Sequence, residues 1–352
     1  MKPIFLAVLA GALFGAATPA GKFLLDALPT FEVAAILYLG AALAVVIPVM
    51  REPESNHSIK QIGGRRGLKL LLALLCGGVC APIFFLMGLK AASAASVSMW
   101  LPLEAVFTSL LALLIFKEHI GRLQWLGLAG VTLAATLLSY GEGEAGLKAV
   151  VFVGMSCLLW ALDNNLTSVI DEVSPARITL FKGIVGGIIN LSTAFALEKP
   201  VFHWHPIVIG LTVGALSYGL SLTLYIRAAQ EIGASRAQLF FATAPFWGAT
   251  MAFAFLAEPA GPTQLFAMLL LVASLVALSR DKHSHSHDHE SMSHVHMHTH
   301  GQKGDGHHDH AHDASEKLTG STKHSHWHTH EPVSHSHQHW PDLHHRHLHK
   351  SI

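Results

Sequence analysis

The chain has 352 residues; 51% are hydrophobic and only 13% charged, well below the roughly 25% of an ordinary soluble domain. Its formal net charge is zero, so bulk charge gives no argument for nucleic acid or an acidic partner. No nucleophile–base pair, phosphate loop or catalytic metal set stands out, so neither an enzyme nor a required cofactor is expected.

About 20 consecutive apolar residues cross a bilayer as a helix. Ten stretches fit: 3–24, 31–50, 67–89, 93–116, 122–140, 148–170, 176–197, 206–228, 234–256 and 263–279. They are too long and unbroken for barrel strands, so the fold class expected is an all-α integral membrane protein in contact with lipid. Lys2 ahead of the first stretch loosely fits a signal peptide, but nine similar stretches follow and a first spanning helix explains the same residues. Cys76, Cys80 and Cys157 all lie in apolar stretches and read as small packing residues rather than a disulfide framework. Gly11 with Gly15, Gly183 with Gly187 and Gly210 with Gly214 have the spacing of close helix contacts.

Charge inside hydrocarbon costs at least about 2.5–3.5 kcal/mol on insertion scales and needs a reason. In the fourth stretch Glu104 follows Pro102, near the predicted midplane and with no obvious cation at its depth. It is expected to face a water-filled cavity as a substrate or proton site; the plain alternative is a protonated acid hydrogen-bonded in the core. In the sixth stretch Asp163 lies within WALDNN, and in the seventh Lys182 lies within FKGIVGG. The two helices are antiparallel neighbours, so the pair should meet at one depth, either as a packing ion pair or as a coupling carboxylate governed by Lys182 and by water. Asn164, Asn165 and Asn190 could line the same cavity or merely bond between helices, and Trp160, one turn from Asp163, could wall it. For Trp100, Tyr218 and Trp247, packing or lipid contact is at least as good a reading. Glu118 and Glu258 fall near helix ends, where charge costs little.

Lys and Arg favour cytoplasmic loops. With the N-terminus inside, the inner segments carry Lys2, Arg51, Lys60, Arg65, Arg66, Lys69, Lys117, Arg122, Arg177, Arg227, Arg236, Arg280 and Lys282, and the outer ones only Lys22, Lys90, Lys148 and Lys199. Both termini are therefore expected in the cytoplasm.

The halves resemble each other. The fourth and fifth stretches read like the ninth and tenth, with Pro102 matching Pro245 and Glu118 matching Glu258, and Thr18 and Pro19 fall opposite Asp163 and Asn164. Five helices per half is odd, so the second copy must be inverted, and inverted repeats mark secondary transporters whose site lies near the midplane. The domains expected are a first repeat over 1–140, a second over 141–279, and a tail over 280–352.

These segments, with GAATPAGK at 15–22, resemble the ten-helix, EamA-type branch of the drug/metabolite transporter superfamily over about residues 3–279. The resemblance implies export or exchange of a small metabolite or drug-like solute across a bacterial-type cell membrane, coupled to protons or another gradient. A homodimer is compatible with it. The tail is not part of the family pattern.

Residues 280–352 hold 23 of the 27 histidines, in alternating runs with little apolar mass, which predicts disorder. Neutral imidazoles at every second position can gather around Zn, Ni, Co or Cu ions. The candidate ligands are His283, His285, His287, His289, His294, His296, His298, His300, His324, His326, His328 and His330. No spacing selects one metal. A second reading makes divalent Zn, Ni or Co the cargo and the tail its buffer or sensor, although the helices hold no paired-histidine set. A third, a membrane anchor for a metal store, leaves the repeat and the midplane carboxylates without a purpose.

Overall fold

The computed structural model describes residues 2–52, 64–116, 120–170 and 173–280, and the segments 284–289, 292–299, 323–330 and 333–338 of the tail. Helices account for the first four spans: α1 (Lys2–Gly15), α2 (Ala17–Leu25), α3 (Thr30–Met50), α4 (Gly64–Ala73), α5 (Ala81–Ala91), α6 (Ala94–Trp100), α7 (Leu103–Phe116), α8 (Arg122–Gly141), α9 (Gly143–Thr167), α10 (Pro175–Leu197), α11 (Trp204–Val213), α12 (Ser221–Ile232), α13 (Ala234–Phe241), α14 (Ala244–Phe255) and α15 (Pro262–Arg280). A π-helical segment, Leu74–Cys80, joins α4 to α5, and another, Gly214–Leu220, joins α11 to α12.

Among the described residues eight helical stretches are long and apolar enough to span a bilayer: Pro3–Leu25, Thr30–Met50, Arg66–Ala91, Ala94–Ile115, Arg122–Gly141, Gly143–Thr167, Pro175–Leu197 and Trp204–Ile232. The other two of the ten expected stretches differ. The stretch 234–256 is divided between α13 and α14 just ahead of Pro245, and the last apolar run, Pro262–Ala277, is shorter than the other eight. Large apolar side chains such as Leu114, Val151, Phe255 and Leu269 lie exposed, as lipid-facing residues must.

Prolines mark the helix breaks. Pro19 leaves the Gly15 carbonyl without its intrahelical donor beside the α1–α2 junction, Pro102 follows the end of α6, and Pro245 follows the end of α13. Pro82 likewise cannot serve the Gly78 carbonyl, and the helix runs as a π-turn there.

The packing partners mirror one another between the halves. α5 lies on α9 as α12 lies on α1, and α7 lies on α9 as α14 lies on α1, while α3 packs on α10 and α8 on α15. Lipid supplies no hydrophobic drive between helices, so close approach and polar contacts must do it. All three glycine pairs sit at such crossings. A Cβ at Gly11 or Gly15 would meet the backbone of α13–α14, one at Gly183 or Gly187 would meet α3, and one at Gly210 or Gly214 would meet Ile36 and Leu37. Ser217 and Ser221 donate to the Leu13 and Ala10 carbonyls of α1, and Ser156 of α9 donates to the Ala81 carbonyl.

In the tail, β1 (Ser284–His289) pairs antiparallel with β4 (Val333–Gln338), and β2 (Met292–Thr299) with β3 (Lys323–His330). These four segments are extended and paired where composition predicts disorder; alternation of period two is the pattern of a strand.

Candidate functional site

Where α1, α3, α7, α9, α12 and α13 converge, they line a small cavity. Its wall is mainly aromatic: Phe14, Tyr38, Trp160, Tyr218, Tyr225 and Phe241, with Leu222. The polar members are Glu104, Asp163 and Asn164. The helix breaks and π-segments explain this. Glu104 is the second residue of α7, just past Pro102, and Tyr218 lies within the second π-segment.

The two carboxylates are treated differently. Lys182 Nζ lies 2.7 Å from Asp163 Oδ2, and Thr167 Oγ1 donates to Asp163 Oδ1 at 2.9 Å; Asp163 and Lys182 are each only 3% exposed. Gly77 makes room for this carboxylate, since a Cβ there would overlap it. Glu104, 5% exposed, instead accepts from Asn164 Nδ2 at 2.6 Å, and that amide also reaches Gln238 Oε1 at 3.5 Å. No cation pairs with Glu104 among the described residues.

The rings form a connected set. Phe14 is 5.7 Å from Trp160, 5.5 Å from Tyr218 and 5.2 Å from Phe241, centroid to centroid, while Tyr38 meets Tyr218 at 5.3 Å and Tyr225 meets Phe241 at 4.9 Å. The Tyr38 hydroxyl donates to the Gly77 carbonyl, and Trp160 Nε1 donates to the same oxygen at 3.3 Å, so the first π-segment anchors two wall residues. The buried hydroxyls of Tyr218 and Tyr225 have no hydrogen-bond partner among the described residues.

Of the residues singled out from sequence, Glu104, Asp163, Asn164 and Trp160 line the cavity, and Lys182 reaches it through Asp163. Asn165 does not: its amide donates to the Thr108 and Ala161 carbonyls. Asn190 is also away from the wall, fully buried with both amide atoms unpartnered. Both amides were expected to be cavity candidates because a polar group in an apolar helix has no sequence mark of the face it takes. Trp100 is a packing residue, its Nε1 donating to the Ala135 carbonyl, and Trp247 is exposed. Phe14, Tyr38, Tyr225, Phe241 and Gln238 were missed. One signal was present: the chain has four tyrosines, and three of them are here. His283 and His300 lie outside the described residues; His285, His287, His289, His294, His296, His298, His324, His326, His328 and His330 lie on the paired backbone strands.

One end of the bundle is closed by charged side chains on backbone groups. Glu258 accepts from the Ala94 and Ala95 amides at 2.8 Å each, and Glu142 accepts from Ser93 Oγ at 2.6 Å. Glu198 accepts from the Phe31 amide at 2.9 Å, Glu32 from the Val201 amide at 2.8 Å, and Lys22 donates to the Leu89 and Ala92 carbonyls at 2.9 Å. Glu258 is thus a helix cap in this structure; its sequence counterpart Glu118 lies outside the described residues. At the opposite end Glu52 accepts from Ser174 Oγ and Arg177 Nε.

The model of the EamA-like transporter family matches residues 1–140 and again 147–280. An uncharacterized transporter of Methanothermobacter thermautotrophicus is 30% identical over 268 residues, 70% of this chain and 77% of its own length. The uncharacterized transporter YyaM of Bacillus subtilis is 24% identical over 220 residues, 59% of this chain and 70% of its own. A solved crystal structure matches with a TM-score of 0.61 at 14% identity, covering 79% of this chain and 95% of its own, a likeness of fold alone. The two family matches cover nearly all of residues 1–280, so the chain belongs to the EamA-like transporter family and is an integral membrane transporter, not an enzyme.

Proposed function

We propose that the chain is a proton-coupled secondary transporter that exports a small organic solute by alternating access. The cavity is the solute site, Glu104 is the coupling carboxylate, and both termini are cytoplasmic. The carrying observation is the contrast within one cavity: Asp163 is neutralised by Lys182, whereas Glu104 has only neutral hydrogen-bond partners. A buried carboxylate so placed needs a proton or a cationic ligand. Two family matches of nearly equal length, and packing partners that mirror between the halves, support two inverted five-helix repeats with the site between them.

Purified protein in proteoliposomes tests this. With an imposed pH gradient, a solute panel exchanged by the natural chain should not be driven by the gradient in Glu104→Gln. Undiminished proton-driven transport in that variant would remove Glu104 from the mechanism. The direction is tested by comparing inside-out with right-side-out vesicles.

The histidine-rich tail is read as a separate transition-metal binder. Equilibrium dialysis against Zn²⁺ should show several ions per full chain, few on a chain ending at Arg280, and loss of the difference below about pH 6 as imidazoles protonate. Equal binding to the two chains would reject the tail as the metal site. Metal as cargo is the weaker reading, because Lys182 occupies Asp163 and the rest of the cavity wall is mainly aromatic.

A further inference from the structure

Resting on the cavity as the solute site, we infer that its ligand is a small protonated amine carried on an apolar body. Three features of the wall converge on that chemistry. The first is charge. With Glu104 ionised and Asp163 paired to Lys182, the cavity carries one uncompensated negative charge. An anionic or zwitterionic solute would bring a carboxylate to a wall whose nearest cation is already engaged. The second is the rings. Six aromatic side chains surround the cavity, and aromatic faces attract a cation most strongly where water is excluded. The third is the pair of hydroxyls on Tyr218 and Tyr225, buried and unpartnered. Their oxygens can accept from ammonium N–H groups, so an amine satisfies them together with Glu104, whereas a hydrocarbon leaves them empty-handed.

The exchange balances. In the empty cavity Glu104 holds a proton. The amine enters already protonated and keeps its N–H bonds; the Glu104 proton leaves to solvent, and the carboxylate then pairs with the ammonium. One proton is released for each cation bound, so affinity rises with pH until Glu104 is ionised without ligand. The titratable and charged groups around Glu104 among the described residues are Asp163 and Cys157 on α9, Lys182 on α10, Tyr38 on α3, Tyr218 on the second π-segment and Tyr225 on α12.

The test is titration calorimetry of the full-length protein in nanodiscs, in two buffers of different ionisation enthalpy, with 2-phenylethylamine, its uncharged analogue 2-phenylethanol, and phenylalanine. Expected is binding of the amine at least tenfold tighter than of the other two, with about one proton released and an affinity that increases with pH. Glu104→Gln should abolish proton release and weaken the amine at least tenfold; Glu104→Asp should retain the release. Trp160→Leu should weaken the amine severalfold with release intact. Size-exclusion profiles confirm that each variant is folded. Equal binding of the alcohol, tighter binding of phenylalanine, or amine binding without proton release overturns the inference. Glu104-dependent exchange of a non-cationic solute in proteoliposomes would then leave the transport reading standing. If no solute exchanges at all, the reading of the cavity as a proton-coupled solute site itself fails.

Discussion

Asp163 and Lys182 occupy adjacent antiparallel helices and meet as a buried pair, and the cost of separating them should exceed the value of having them. Removing one partner strands a charge, which costs about 3–5 kcal/mol, while replacing both by neutral groups is often tolerated. Lys182→Met should therefore lower the unfolding temperature of the detergent-solubilised protein strongly, and Asp163→Asn with Lys182→Met should recover most of the loss. Thermal unfolding of the three forms checks this; an additive double variant would mean that the pair does not stabilise the fold. These charges were legible in the sequence because a charged side chain in an apolar stretch is conspicuous. Tyr38, Tyr225, Phe14 and Phe241 were not, since an aromatic ring in an apolar helix fits the core, the lipid face and the cavity equally well. Only the convergence of six helices distinguishes these cases. Asn190 is the converse case, a polar residue that the sequence leaves as either cavity lining or an interhelical bond, and it lies away from the cavity.

At the level of elements, the irregular backbone does the positioning. Regular helices would keep the Gly77 carbonyl inside its own ladder, yet it accepts from both Tyr38 and Trp160. Gly77 also faces the Asp163 carboxylate with no room for a Cβ. Gly77→Ala should push that carboxylate off Lys182 and destabilise the protein by about 1–3 kcal/mol, as overpacking does. Thermal unfolding would detect it, and Gly154→Ala, where nothing lies within 4 Å of the added Cβ, is the control. Glu258 presents a second case. It is aimed at the start of α6 by Ala257, whose φ of 53° is the left-handed conformation that side-chain-bearing residues avoid. Ala257→Gly should relieve about 1 kcal/mol of that strain without disturbing the cap. Glu258→Ala removes both bonds to the Ala94 and Ala95 amides and should loosen α6 from the α14–α15 turn. On a background lacking Cys76, Cys80 and Cys157, a Ser98→Cys reporter should then react severalfold faster with a polar maleimide. An unchanged rate would mean that the cap does not hold that end shut. Pro102 marks in the sequence the break ahead of Glu104; the π-segments carry no such mark, since neither contains a proline and only the first has one, Pro82, just beyond it.

For the whole molecule, the described residues tie the two ends of the bundle unequally. Among the described residues, the end bearing Lys22, Glu32, Glu142, Glu198 and Glu258 is tied by side chain to backbone across several helices, whereas the Glu52 end holds the contacts of Glu52 with Ser174 and Arg177 and of Gln230 with the Ile170 carbonyl. If the excess of Lys and Arg fixes the orientation, the tied end faces outward and the structure is closed to the outside. Single cysteines on the same cysteine-free background decide this. Glu144→Cys, exposed beyond α8, should react with an impermeant maleimide in intact cells, and Arg51→Cys only after permeabilisation. The reverse result would put the clamp in the cytoplasm and the histidine tail outside, ending any role for that tail as a cytoplasmic metal buffer. With orientation fixed, the same chemistry tests alternating access. If the chain alternates, opening one end closes the other, because both halves of the chain contribute to the cavity wall through α1, α3, α7, α9 and α12. A solute that binds one state better shifts the population toward it. Such a solute should therefore change the labelling rate of Ser98→Cys and of a cysteine at Ser174 in opposite directions, each by severalfold. Parallel changes would describe a protein that breathes rather than one that alternates.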